Sequence, residues 1–172
     1  EISQLSDIEI YKKGLESLKK GNLTKATLEF DNVFLNYPFS SLSSKSEIMS
    51  AYSLYQNNEI KKAITKLNSY IEMNPQGKLT KYAHYLLAMC YYAQVSSEDR
   101  DTSTSIKSLN YFRLIITKYP NTDYAKDAKL KIHLLKNTLA KNELNIGKFY
   151  LRKGAPASSI KRFQSIIQNY QN

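Results

Sequence analysis

The feature that most constrains this chain is an internal period. Gly14, Ala51 and Ala88 lie 37 residues apart. A second small residue follows 12 positions after two of them, at Ala26 and Ala63, and a proline 12 positions after that, at Pro38 and Pro75. A third unit keeps the last step, from Ser108 to Pro120, while its first step is 20 residues instead of 12. A fourth repeats Gly147 to Ser159, and 12 positions on it has Gln171 in place of proline. Between the small residues lie a turn (Gly21-Asn22-Leu23, Asn58-Glu59-Ile60, Gly154-Ala155-Pro156) and a large apolar position four residues after the second one, at Phe30, Leu67, Phe112 and Phe163.

Such spacing predicts a pair of antiparallel helices per unit. Small residues let the two axes approach, and the large apolar side chain fills the seam. Gly or Asn ends the first helix in a left-handed conformation, and proline stops the second. The expected fold is all-α, a tetratricopeptide-repeat superhelix whose first helices line the concave side. The repeats span about 7–38, 44–75, 78–120 and 122–171 of a single array, and a fifth is expected beyond residue 172. Eight additional residues in VSSEDRDTSTS read as an enlarged loop in the third unit. The step from Ser108 to Gly147 is 39, against 25 from Ala26 to Ala51. The excess predicts a long helix over about 122–153, or two nearly collinear ones, capped by Asn121, Thr122 or Asp123.

Composition narrows function mainly by exclusion. No apolar run is long enough to span a membrane. Residue 1 is Glu, so the chain reads as processed, with any targeting segment removed. The single Cys90 forms no internal disulfide and is expected to be buried and inert. His84 and His133 are isolated from each other and read as core-edge or surface residues. No metalloprotease, nucleophile-elbow, dinucleotide or phosphate-loop motif occurs, so an enzyme, a cofactor and a metal are not expected. The net charge of +10 raises a nucleic-acid reading. Its cations are spread along the chain among acids, however, and nucleic acid is not an expected partner. The 14 tyrosines are the remaining signal. Tyr11, Tyr52, Tyr55, Tyr82, Tyr85 and Tyr92 fall on first helices, either as packing residues or as the lining of a peptide groove.

Four stretches, Tyr37-Pro38-Phe39, YIEMNP at 70–75, KYAHYLLAM at 81–89 and the segment 119–155, resemble the BamD (ComL- or YfiO-like) family of lipoproteins. Most specific is Leu139-Ala140-Lys141-Asn142-Glu143 inside the long helix. The likeness runs from about residue 7 to 170 and includes Arg100-Asp101 in the enlarged loop. It implies a non-enzymatic scaffold and receptor of the outer-membrane β-barrel assembly machinery. Members of the family are held at the periplasmic face of the cell outer membrane by a lipidated N-terminal Cys, which this sequence does not contain. The implied partners are BamA, through its last periplasmic POTRA domain, other subunits of the complex, and unfolded outer-membrane proteins. Arg162 matches a family arginine that pairs with a POTRA acid; Arg152, Lys153 and Lys161 extend that basic surface. The tyrosines above, with Lys19 and Lys45, would form the substrate-peptide groove. Another periplasmic tetratricopeptide adaptor, similar to YbgF, is the alternative.

The register is testable directly. Ala63→Leu is expected to overpack the seam of the second unit and cost about 1–3 kcal/mol. An unchanged melting temperature would show that Ala63 does not face its partner helix.

Overall fold

Pro38, Pro75 and Pro120 disfavour the helical conformation in the residue ahead of them. Tyr37, Asn74 and Tyr119 accordingly adopt nearly the same backbone angles, φ −129°, ψ 58°; φ −129°, ψ 57°; and φ −133°, ψ 51°. Their carbonyls accept from the N–H three residues on, in Ser40, Gly77 and Thr122, at 3.0, 3.1 and 3.3 Å. One device therefore ends three helices. The structure, a computed structural model, describes residues 5–95 and 102–170.

Among the described residues the chain is entirely helical: α1 Asp7–Lys19, α2 Leu23–Asn36, α3 Ser43–Gln56, α4 Ile60–Met73, α5 Thr80–Tyr92, α6 Ser103–Lys118, α7 Asp123–Arg152 and α8 Pro156–Asn169. Packing divides it into two compact units, Glu1–Cys90 and Tyr91–Asn172. In the first, α1 packs on α2, α2 on α3 and α3 on α4; in the second, α6 packs on α7 and α7 on α8.

The turns inside the hairpins share a second device. Gly21, Asn58 and Gly154 take φ of 75°, 60° and 71°. The next residue's N–H in each case reaches the carbonyl five positions back, Asn22 to Ser17, Glu59 to Leu54 and Ala155 to Tyr150, at 2.9, 2.9 and 3.0 Å. These bonds satisfy carbonyls that a helix end leaves open.

The expected enlarged loop is shorter than its composition implied. Its Arg100-Asp101 lies outside the described residues, but Ser103, Thr104 and Ser105 already belong to α6, and Ser105 is buried. Packing overrides the weak helix propensity of this Ser/Thr run, so α6 has 16 residues against 14 in α2 and α4. The long helix is continuous. α7 runs 30 residues, about 45 Å, and starts at Thr122, whose side chain accepts from the Ala125 N–H at 3.2 Å. His84 is buried rather than at the surface, its Nδ1 2.9 Å from the Thr80 carbonyl oxygen. His133 is exposed.

The seams follow the small-residue rule. Ala26, Ala51, Ala63, Ala88, Ser108 and Ser159 are essentially sealed from solvent. In the α1–α2 and α7–α8 hairpins an aromatic ring stands against a glycine. A Cβ on Gly14 would stand 2.7 Å from the Phe30 ring, and one on Gly147 2.4 Å from the Phe163 ring. Second helices bury a single stripe, as α4 does with Ile60, Ala63, Leu67 and Tyr70. The helix between two neighbours, α3, is buried around most of its circumference through Ser46, Glu47, Ile48, Ser50, Ala51, Ser53 and Leu54.

Gly147→Ala is expected to lose about 1–3 kcal/mol in denaturant unfolding despite the better helix propensity of alanine. Gly154→Ala meets nothing within 4 Å and should lose only the backbone cost of φ +71°, about 1–2 kcal/mol. A Gly147→Ala variant as stable as the parent would remove the close approach from the account.

Candidate functional site

The residues expected to bind partners are divided between the two units. Tyr11 belongs to the core: only 7% of it is exposed, and its ring centroid lies 5.4 Å from that of Phe30. This corrects its assignment to an open groove. It sits three residues before Gly14, on the side of α1 that faces α2, and so fills the seam. Lys45 lies across it, with Nζ 5.3 Å from the ring centroid, a contact worth about 0.5–1 kcal/mol at an exposed site.

Tyr52, Tyr55, Tyr82 and Tyr85 are half-buried, and Lys19 is exposed. The Tyr52 hydroxyl accepts from Gln56 Nε2 at 2.7 Å. Burial pushes the Tyr55 phenol above its ordinary value, with Cys90 and Tyr52 adding to the shift. Tyr92 falls in the second unit. It meets Phe112 edge-on, centroids 6.1 Å apart, with Lys131 Nζ 5.1 Å from its own ring centroid. Tyr11 and Tyr92 thus take part in ring contacts between helices, while Tyr52, Tyr55, Tyr82 and Tyr85 are only partly exposed.

The basic residues at the other end separate into two places. Arg162 and Lys161 share a cleft of about 250 Å³ with Tyr150, Ser158 and Ser165. Arg152 lines another, about 420 Å³, with Asn145, Lys148 and Leu151. Lys153 lies with its Nζ 5.9 Å from the Phe149 ring centroid. Arg162 is placed by Glu143, whose Oε1 and Oε2 both lie 3.2 Å from Nη1. Glu143 is mostly covered, with 13% of its side chain exposed against 42% for Arg162. At that exposure the pair contributes about 0–1 kcal/mol to stability, so its main effect is orientation. No other hydrogen bond engages the guanidinium among the described residues, which leaves Nε and Nη2 available to a further acceptor.

The family resemblance pointed to Arg162 and carried no sign of Glu143. The usable signal was positional. The residue three after the second small residue of each unit is Glu29, Lys66, Tyr111 or Arg162, and each makes a cross-helix contact. Ser17 Oγ donates to Glu29 at 2.7 Å, Lys66 Nζ meets Asp31 Oδ1 at 2.6 Å, and the Tyr111 ring stacks on Tyr91 with centroids 5.4 Å apart.

No grouping of three or more His, Cys, Asp or Glu among the described residues could hold a metal ion. Cys90 is buried, and burial pushes its thiol up to about 12, which keeps it protonated and unreactive at neutral pH.

Glu47 was not anticipated. It lies on α3 and is 4% exposed. Burial raises its carboxyl above the ordinary value, an effect opposed by Lys66 and reinforced by Asp31. With the folded-state value raised, the contribution of this group to stability is full below the ordinary carboxylate range and is lost as pH rises through the folded value. Relative to the parent, Glu47→Gln should therefore gain melting temperature near pH 7, with the gain shrinking towards about pH 4. A difference independent of pH would show that Glu47 is not desolvated.

Residues 3–172 match the YfiO family model, described as outer membrane lipoprotein. The chain is 39% identical over 162 residues to the outer membrane protein assembly factor BamD of Rickettsia prowazekii, covering 94% of this chain and 64% of that relative. It is 35% identical over 162 residues to the factor of the same name from Caulobacter vibrioides, covering 94% and 53%. With that of Neisseria meningitidis serogroup B it shares 26% over 173 residues, covering 95% and 65%. The chain thus spans less than two thirds of the length of these relatives. Among solved structures, the TPR2AB domain in the pHSP90 complex of yeast Sti1 superposes with a TM-score of 0.65 at 15% identity, covering 94% of this chain and 63% of that one. At that identity the likeness concerns the fold alone, which is of tetratricopeptide-repeat type.

Proposed function

This chain belongs to the YfiO family of outer-membrane lipoproteins, and from that premise we propose that it is a non-enzymatic scaffold and receptor in the assembly of outer-membrane β-barrel proteins. The observation that carries the proposal is the match over residues 3–172, together with relatives named as outer membrane protein assembly factors. In this reading it works at the periplasmic face of the outer membrane. No helix among the described residues is long and apolar enough to cross a membrane; the attachment in this reading is the lipid anchor that the family's description as lipoproteins implies.

The second unit would hold BamA through its last POTRA domain, with Arg162 as the central contact. The geometry supports this. A guanidinium pinned on one nitrogen by a covered carboxylate keeps its planar fork in a fixed direction. Nε and Nη2 could then grip a partner's carboxylate with two parallel hydrogen bonds. Lys161 beside it adds positive charge, and Arg152 and Lys153, the last residue and C-cap of α7, would extend the basic field at the α7–α8 connection. The half-buried Tyr52, Tyr55, Tyr82 and Tyr85 on α3 and α5 would offer ring surface to an unfolded outer-membrane protein, and Tyr92 would do so from the second unit. Exposed Lys19 and Lys45 would favour a peptide's terminal carboxylate. Aromatic side chains suit such contacts because they present large area with few rotatable bonds.

Arg162→Glu and Arg162→Gln should each weaken capture of the purified BamA periplasmic region by at least about tenfold. Helical circular dichroism should be preserved. The glutamine variant separates loss of the contact from repulsion between two adjacent carboxylates. Unaltered capture by both variants would reject Arg162 as the contact while leaving family membership intact.

A further inference from the structure

A cleft of about 630 Å³ opens between α2 and α4 in the first unit, with α3 in its wall. Three acids line it, Asp31, Glu47 and Glu59, with two lysines, Lys62 and Lys66. Four of these five are mated: Lys66 Nζ meets Asp31 at 2.6 Å, and Lys62 Nζ meets Glu59 at 2.5 Å. Glu47 is left over. It is the most deeply buried of the five, 4% exposed, yet no hydrogen bond or ion pair reaches its carboxylate among the described residues. In a chain of net charge +10 the five side chains leave this cleft a formal excess of one acid, and Lys66, the cation that acts on Glu47, is already paired with Asp31, so a carboxylate behind this low-dielectric wall is costly.

The rim is apolar where the floor is acidic. Leu28 and Met73 are 65% and 60% exposed, and both line the opening. A cation on a flexible hydrocarbon stem matches this layout, since lysine and arginine bury their methylenes along apolar surface while the charged head finds an acceptor. A bare metal ion does not, because one carboxylate supplies too few oxygen ligands.

We propose that the α2–α4 cleft is a docking site for a lysine or arginine side chain carried, next to an apolar residue, by an extended segment of a protein partner. The cation seats on Glu47, and the apolar neighbour covers Leu28 and Met73. The site lies on the first unit and does not depend on the Arg162 surface.

The test uses the full chain, acetyl-Leu-Arg-Leu-amide, and acetyl-Leu-citrulline-Leu-amide, which keeps the shape and removes the charge. Binding is followed through the Met73 methyl resonance. The arginine peptide should shift that resonance, and the citrulline peptide should bind at least about tenfold more weakly. Glu47→Gln should abolish the preference, while Arg162→Glu should leave it unchanged. The Glu47→Gln protein should melt no lower than the parent at neutral pH. The proposal is overturned if the arginine peptide leaves Met73 unmoved or if citrulline binds equally well. Methylguanidinium binding as tightly as the peptide would overturn it too, by reducing the cleft to a site for free cations. So would a lowered melting temperature for Glu47→Gln, which would make Glu47 a structural mate of Lys66.

Discussion

The contact on which the rest depends is the meeting of a small residue with a large one inside each helical hairpin. Gly14 under Phe30 and Gly147 under Phe163 bring paired axes so close that one additional methyl group has no space. In the second hairpin Ala51 and Leu67 occupy the corresponding positions, both sealed from solvent. In these three hairpins the two rings stand opposite glycine and the narrower leucine opposite alanine. Close packing of this kind is unforgiving of a methylene in either direction, and it fixes the rotation of each helix about its axis. Once that rotation is set, every other residue's face is set with it.

The site residues inherit their positions from this seam. The place three residues after the second small residue always points across to another helix. In α2 it is Glu29 with Ser17, in α4 Lys66 with Asp31, in α6 Tyr111 on Tyr91, and in α8 Arg162 with Glu143. One backbone frame thus carries four chemistries. In the last of them the arginine side chain is 42% exposed, more than Lys66 at 22% or Glu29 at 15%. The cleft over Glu47 arises in a comparable way. α3 lies between α2 and α4, so an acid on its surface becomes the wall of a cavity.

Much of the fold was legible from spacing because it rests on local chemistry. Gly21, Asn58 and Gly154 mark the turns, the prolines mark the ends of second helices, and Thr122 starts the long helix. Each acts within a few residues of itself. Less legible was whatever depends on a neighbour distant in sequence. Tyr11 looked like a groove residue because a tyrosine at that phase has two sides, and only the packing of α2 shows which is covered. Glu47 sits in SSKSEIMS, a segment polar enough to read as solvated, and becomes buried because α3 has helices on both sides. The Arg162–Glu143 pair spans 19 residues and needed the hairpin register before it could be seen. The Ser/Thr start of α6 read as loop because composition weighs propensity and carries no information about burial.

The most direct measurement of the central claim, that this helical-hairpin chain is built to hold a protein of the outer-membrane assembly machinery on its α7–α8 surface, is site-specific photo-crosslinking. A photoreactive residue at exposed Gln164, two positions from Arg162, would be compared with one at exposed Gln56 in the first unit, each in the presence of the purified BamA periplasmic region. The account predicts a crosslink from position 164 that maps to the last POTRA domain and far less from position 56. Equal yields from both positions, or none from 164, would contradict it.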